Sequence, residues 1–183
     1  MASNQWNAPM IDIELDEDDR IVFHSTSAKF DEFDEAKLGT GVDNNSALGF
    51  FFSDDVANIP YYMRDGRELV VAAVRVANPV TDWSYYDIFG FDSDHTQAMA
   101  KSDFTRKRLD LIAAGFDAIE HADNEETILI ALQTSSIRIL TRLNEPDANL
   151  LSQLISSLPD TDDDKARLEC LRQVVAGVDT PKP

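Results

Sequence analysis

The residues of this chain best equipped for chemistry stand in four places: His24-Ser25-Thr26, the run from Leu48 to Ser53, the pair Tyr61-Tyr62, and Glu125-Glu126. A histidine followed by two hydroxyl residues at a strand end supplies an imidazole, hydroxyls, and main-chain donors and acceptors. Phe51 and the tyrosines supply rings, Ser53 a hydroxyl, and the two glutamates carboxylates. Taken singly, each set has an ordinary use. His-Ser-Thr reads as a satisfied histidine near a turn, a Phe-rich strand and paired tyrosines as core filling, and adjacent glutamates as turn carboxylates. Other chemistries lack their residues. His24, His95 and His121 are scattered without the i, i+3 or i, i+4 pairing of helix-borne ligands, so no metal is expected. There is no Gly-Lys-Ser/Thr phosphate loop and no Gly-x-Ser-x-Gly elbow.

In conjunction and in order, the runs Ile21 to Phe33, Leu48 to Tyr62 and Gly115-Phe116-Asp117-Ala118-Ile119 resemble the ADP-ribosyltransferase superfamily. The likeness is in particular to small bacterial and phage members that begin with a His-Gly-Thr-type motif, of the His-Tyr-Glu class, and it covers roughly residues 20 to 143. The resemblance implies NAD+ as substrate and His24 as the residue that hydrogen-bonds the adenosine ribose. It implies that the main chain of Ser25 holds the nicotinamide amide through its N–H and C=O. Gly is usual at this position, and Ser25 keeps both backbone groups while adding a Cβ. Thr26 adds a hydroxyl. Phe51 takes the place of a strand tyrosine that packs on the nicotinamide riboside, and Ser53 closes that motif. Tyr62 falls eleven residues beyond Phe51, at the interval of the family's second tyrosine, with Tyr61 as the alternative.

Transfer of ADP-ribose breaks the nicotinamide glycosidic bond through an oxocarbenium-like state, and a carboxylate on the ribose 2′-hydroxyl stabilises the developing charge. Family members carry this Glu ahead of a stretch that Thr134 to Arg138 resembles. A gapless match puts Ile128 at the Glu position; a shift of two residues brings in Glu126, and a shift of three brings in Glu125. Glu126 is the expected catalytic acid and Glu125 the alternative. The expected activity is mono-ADP-ribosylation of a protein acceptor of basic character, as in a bacterial or phage effector. The same site performs NAD+ hydrolysis if water reaches the ribose carbon. The rival expectation is a catalytically inactive relative whose acidic surface docks a basic or nucleic-acid-binding protein.

Composition narrows the partners. Sixteen basic against thirty-four acidic residues give a net charge of −18, which repels nucleic-acid phosphate over most of the surface. The acid is clumped at Asp16 to Asp19, at Asp31-Glu32 with Asp34-Glu35, and at Asp162 to Asp164, as solvated loops or as a negative face for a basic partner. A single cysteine, Cys170, excludes an internal disulfide and fits a reducing compartment. The first residues lack a basic segment followed by an apolar one, and no apolar run approaches the ~18 residues of a membrane span, so a cytoplasmic location is expected.

Residues 1 to 19 read as an acidic arm with an edge strand at Ile11 to Leu15. Strands are expected at Arg20 to His24, Leu48 to Ser53, Glu68 to Ala77, Phe116 to Glu120, Thr127 to Leu132 and Ile137 to Leu143. The breakers between Gly39 and Ser46 predict a mobile loop. A short or kinked helix follows Asp54-Asp55, with Pro60 inside it. A longer one is expected from Ser102 to Ala114, with Phe104, Leu109, Ile112 and Ala113 inward and Arg106-Lys107-Arg108 outward. Trp83 to Phe91 has no regular pattern. Two amphipathic helices, 147 to 158 and 163 to 176, form a C-terminal extension over 144 to 183. Strands first and last with helices between them, and no regular βαβ alternation, predict an α+β fold. The resemblance implies a split β-sandwich of two antiparallel sheets with flanking helices and the NAD+ cleft between the sheets.

Overall fold

The computed structural model describes residues 14–63, 67–90, 99–122 and 127–178. The elements in chain order are β1 (Asp19–Thr26), β2 (Phe50–Ser53), α1 (Ile59–Tyr62), β3 (Glu68–Arg75), β4 (Pro79–Val80), α2 (Tyr85–Phe89), α3 (Lys101–Ala113), β5 (Ala118–Ala122), β6 (Thr127–Ala131), β7 (Ile137–Leu143), α4 (Glu145–Ser156) and α5 (Asp164–Val178). The protein is therefore mixed α and β, in keeping with the α+β expectation. No helix among the described residues is long and apolar enough to cross a membrane. The chain divides into two compact units, one of residues 1–29, 55–73 and 139–183, the other of 30–54 and 74–138.

In the first unit the strands run in the order β1-β3-β7. Leu69, Val70, Val71, Ala72 and Ala73 of β3 are all buried, so this strand is covered on both faces, as its unbroken apolar sequence requires. Ile21 and Phe23 of β1, Leu140 and Leu143 of β7, and Ile59 and Met63 around α1 join its core. Ala148, Leu151 and Ile155 of α4 enter at helical spacing, and so do Leu168, Leu171 and Val174 of α5. The Asn144 side chain caps α4 by accepting from Asp147 N–H at 3.1 Å, and Ser152 Oγ donates to Val56 C=O at 2.8 Å. Thus α4 and α5, expected as an extension, build the same core as β1. Leu15 packs on it too, but Glu14 and Leu15 are not in a strand, while Ile11 to Ile13 of the predicted edge strand and the rest of the arm's first thirteen residues lie outside the described residues.

The acidic run at Asp162 to Asp164 is more than a solvated loop. Asp163 accepts from the N–H groups of Lys165 and Ala166 at 3.0 and 3.1 Å, capping α5. Asp164 accepts from Ile21 N–H at 2.7 Å, and Arg167, only 4% exposed, donates to Ile21 C=O at 3.1 Å. Burial pushes the Asp164 carboxyl above the ordinary range, against the Ile21 hydrogen bond and the Arg167 charge that pull it down. A raised folded-state pKa means that the ionised form is disfavoured on folding. The associated stability is full below the unfolded pKa and is lost as pH rises through the raised value. Asp164→Asn keeps an oxygen for Ile21 N–H and removes that loss. The variant is expected to melt higher than the parent at pH 7, with the gap closing by pH 3.5, as thermal melts at the two pH values will read.

The second unit has its strands in the order β4-β5-β6-β2. β5 and β2 are antiparallel to β6, but β4 runs parallel to β5, so the strand pairing in this unit is mixed where the resemblance implied antiparallel strands throughout. Its core gathers Leu48, Val80, Ile88, Met99, Phe104, Ile119, Ile130 and Leu132. The segment expected as a mobile loop is tied down. Gly39 N–H donates to Ser46 C=O at 2.9 Å, and the Lys101 ammonium donates to Gly39 and Gly41 C=O at 2.8 and 2.6 Å. In α3, Phe104 is buried as expected, but Leu109 is 52% exposed and Ala113 is exposed as well. Lys107 and Arg108 turn inward instead. Lys107 Nζ pairs with Asp87 at 3.0 Å and lies 4.8 Å over the Trp83 ring, while Arg108 donates to Leu132 C=O at 2.9 Å. The aromatic stretch read as irregular holds α2, opened by a capping box between Ser84 and Asp87 and closed by Gly90 at φ +70°.

Candidate functional site

The sequence-predicted site residues fall into two groups, one in each unit. In the first unit β1 ends in His24, Ser25 and Thr26, all half-buried. Ile59 and Met63, both fully buried, seat α1 on the core, with Pro60 in its first turn, where a missing N–H costs no helical hydrogen bond. That seating turns Tyr61 outward, 61% exposed, and leaves Tyr62 half-buried, with the two rings edge to face at 5.7 Å. Ser25 Oγ donates to Tyr62 C=O at 2.6 Å across 37 residues of sequence. Thr26 Oγ1 accepts from Ala28 N–H at 3.0 Å and closes the strand with a local turn. Lys29, just beyond, pairs with Glu68 at the start of β3, and the second oxygen of Glu68 lies 3.5 Å from Arg142 of β7. Sequence reasoning missed this carboxylate between two cations, because its partners are 39 and 74 residues away.

In the second unit β2 alternates as a strand must. Phe50 and Phe52 face one way, each 5.3 Å from Phe33, which meets Phe30 at 5.0 Å. Phe51 faces the other way and packs on the core beside Phe89, ring to ring at 6.3 Å. Ser53, buried, pairs across the sheet with Ile128, and Ile128 pairs with His121. Residues directly opposite on neighbouring strands project to one face, so Ser53, Ile128 and His121 form a row at the end of the sheet. His121 Nδ1 lies 3.0 Å from Trp83 C=O; because a carbonyl only accepts, Nδ1 carries the proton. Its Nε2 is buried, with no hydrogen-bond partner among the described residues. In α2 the Asp87 carboxyl is held below its ordinary range by the Ser84 hydroxyl and by Lys107. Glu125 and Glu126 lie outside the described residues, as does His95.

Among the described residues no group of three or more His, Cys, Asp or Glu side chains is placed to hold a metal ion. The chain matches no protein-family model, no curated protein and no solved structure.

Proposed function

We propose that this protein binds NAD+ and transfers ADP-ribose to a protein acceptor. The observation that carries the reading is the 2.6 Å hydrogen bond from Ser25 Oγ to Tyr62 C=O, which joins the strand end His24-Ser25-Thr26 to the tyrosine helix. Two motifs that the ADP-ribosyltransferase resemblance assigns to one nucleotide meet within one compact unit. In this reading His24 takes the adenosine ribose and the Ser25 main chain takes the nicotinamide amide. Tyr62, with Tyr61 beside it, stacks on the nicotinamide ring. The resemblance also assigns Phe51, Ser53 and Glu126, or Glu125, to the nucleotide; Phe51 and Ser53 belong to the second unit, and the two glutamates lie outside the described residues. The Ser25 hydroxyl contributes by anchoring α1, since it is already engaged with Tyr62.

The test is incubation with labelled NAD+ and a cell lysate, scored for a modified protein and for free nicotinamide. Alongside it, NAD+ at about 100 times its dissociation constant adds ~2.7 kcal/mol, a melting rise of roughly 5 to 11 °C for a chain of this size. Tyr62→Ala is expected to abolish that rise while leaving the apo protein folded. An apo loss of ~3 kcal/mol or more would instead make Tyr62 a core ring and remove it from the site.

The register of the second unit favours a second reading. Ser53 stands opposite Ile128, the position that the gapless match gives to the catalytic glutamate. An isoleucine there fits a non-catalytic relative whose acidic surface docks a basic or nucleic-acid-binding protein. Nicotinamide release separates the two, since only the transferase or hydrolase produces it.

A further inference from the structure

Both backbone hydrogen-bonding groups of Ile21 are taken by side chains of one helix, Asp164 Oδ1 accepting from its N–H at 2.7 Å and Arg167 Nη1 donating to its C=O at 3.1 Å. Opposed residues of an antiparallel pair exchange these same two bonds, so α5 stands in for a strand neighbour at that point of β1. The Arg167 fork is itself held from behind, by Thr161 C=O and by Asp162 at 3.2 Å. Leu168, Leu171 and Val174 fix the helix to the core that contains Ile21 and Phe23. From Ile21 the strand continues through the buried Val22 and Phe23 to His24 and to Ser25, whose hydroxyl meets Tyr62 C=O. A strand advances by roughly 3.3 Å per residue and is stiff along its axis, so fixing Ile21 fixes the strand end about 10 to 17 Å away.

We infer that the Asp164–Arg167 pair is a positioning clamp for the strand end His24-Ser25-Thr26, setting where Ser25 meets α1. Its consequence for NAD+ rests on the function proposed above; the clamp itself does not. The test is amide hydrogen exchange on the unliganded full chain, comparing the parent, Arg167→Met and Asp164→Asn under conditions where circular dichroism finds each folded. In Arg167→Met the amides from Phe23 to Thr26 are expected to exchange about tenfold faster relative to those of Leu140 and Leu143 in β7. Asp164→Asn, which keeps an acceptor for Ile21 N–H, is expected to stay within about twofold of the parent. A rise shared equally by β1 and β7 reports only global destabilisation and overturns the clamp, as does a rise confined to Ile21. Should Arg167→Met fail to fold, Asp164→Ala, which removes the acceptor of Ile21 N–H, takes its place in the same comparison, with Asp164→Asn as the control for the lost charge. With ligand, the clamp variant is expected to bind NAD+ about tenfold more weakly, and an unchanged affinity overturns the link to the site. A parent that does not respond to NAD+ removes the transferase reading and leaves the exchange comparison to decide the clamp.

Discussion

Gly49→Ala is expected to cost the protein about 3 kcal/mol, the upper end for overpacking a filled interior, and to lower its melting temperature by roughly 6 to 12 °C. A Cβ at Gly49 would stand 2.6 Å from the backbone oxygen of Ala131 and 2.6 Å from Ile130 Cγ2. The oxygen belongs to the β6 main chain, which pairs with β2 from Phe50 to Ser53, so it cannot withdraw as a side-chain tip can. The glycine of the Gly-x-Phe-Phe-Ser motif is thus required by the approach of two strands, whatever the site binds. Gly177→Ala is the control, because a Cβ there meets nothing within 4 Å and an alanine late in a helix is neutral or stabilising by up to about 1 kcal/mol. A Gly49→Ala melt that matches the Gly177→Ala melt would mean that the β2–β6 register is not held as described.

Local pattern carried six of the seven strands among the described residues; β4, Pro79–Val80, was not expected. β7 spans the predicted Ile137 to Leu143, and β6 and β3 end within two residues of expectation, because each is a β-branched apolar run bounded by breakers. Pattern failed on α3, where the expected apolar face includes Leu109 and Ala113, both exposed, while Arg108 reaches a backbone carbonyl. An apolar face is read from side-chain type, but the partner of an arginine 24 residues from its acceptor is a tertiary fact. For α2 a signal was present and overlooked: Ser84 and Asp87 have capping-box spacing. The acidic clusters were misjudged in the same way. Asp34 and Asp55 cap 3-10 turns, Asp163 caps a helix, and Asp164 holds β1, so part of the negative charge is spent on backbone N–H groups. Of the candidate site, the intervals between motifs were legible in the sequence. The Ser25–Tyr62 bond, the Ser53–Ile128–His121 row and the Glu68 ion pairs depend on strand register and were not.

That register bears directly on the carboxylate. If Glu126 acts on the ribose 2′-hydroxyl, its contact strengthens as the oxocarbenium develops, so its loss falls on the transition state more than on the bound substrate. Glu126→Gln keeps a polar side chain of the same length. It is therefore expected to retain most of the NAD+ affinity, read as an unaltered melting rise, while costing on the order of 100-fold in nicotinamide release. Glu125→Gln is expected to cost far less, and the pair gives each variant its own control. Equal turnover in the parent and both variants would place the acid elsewhere in the chain. Ile128 adds a third arm, since it stands opposite Ser53 where the gapless match puts the family's glutamate. Ile128→Glu buries a carboxylate at the edge of the second unit's core and is expected to lower stability whichever reading holds. Should the parent release no nicotinamide while Ile128→Glu, still folded, does so, the ancestral acid belongs at residue 128, and the chain is a relative that has exchanged its catalytic carboxylate for an apolar side chain.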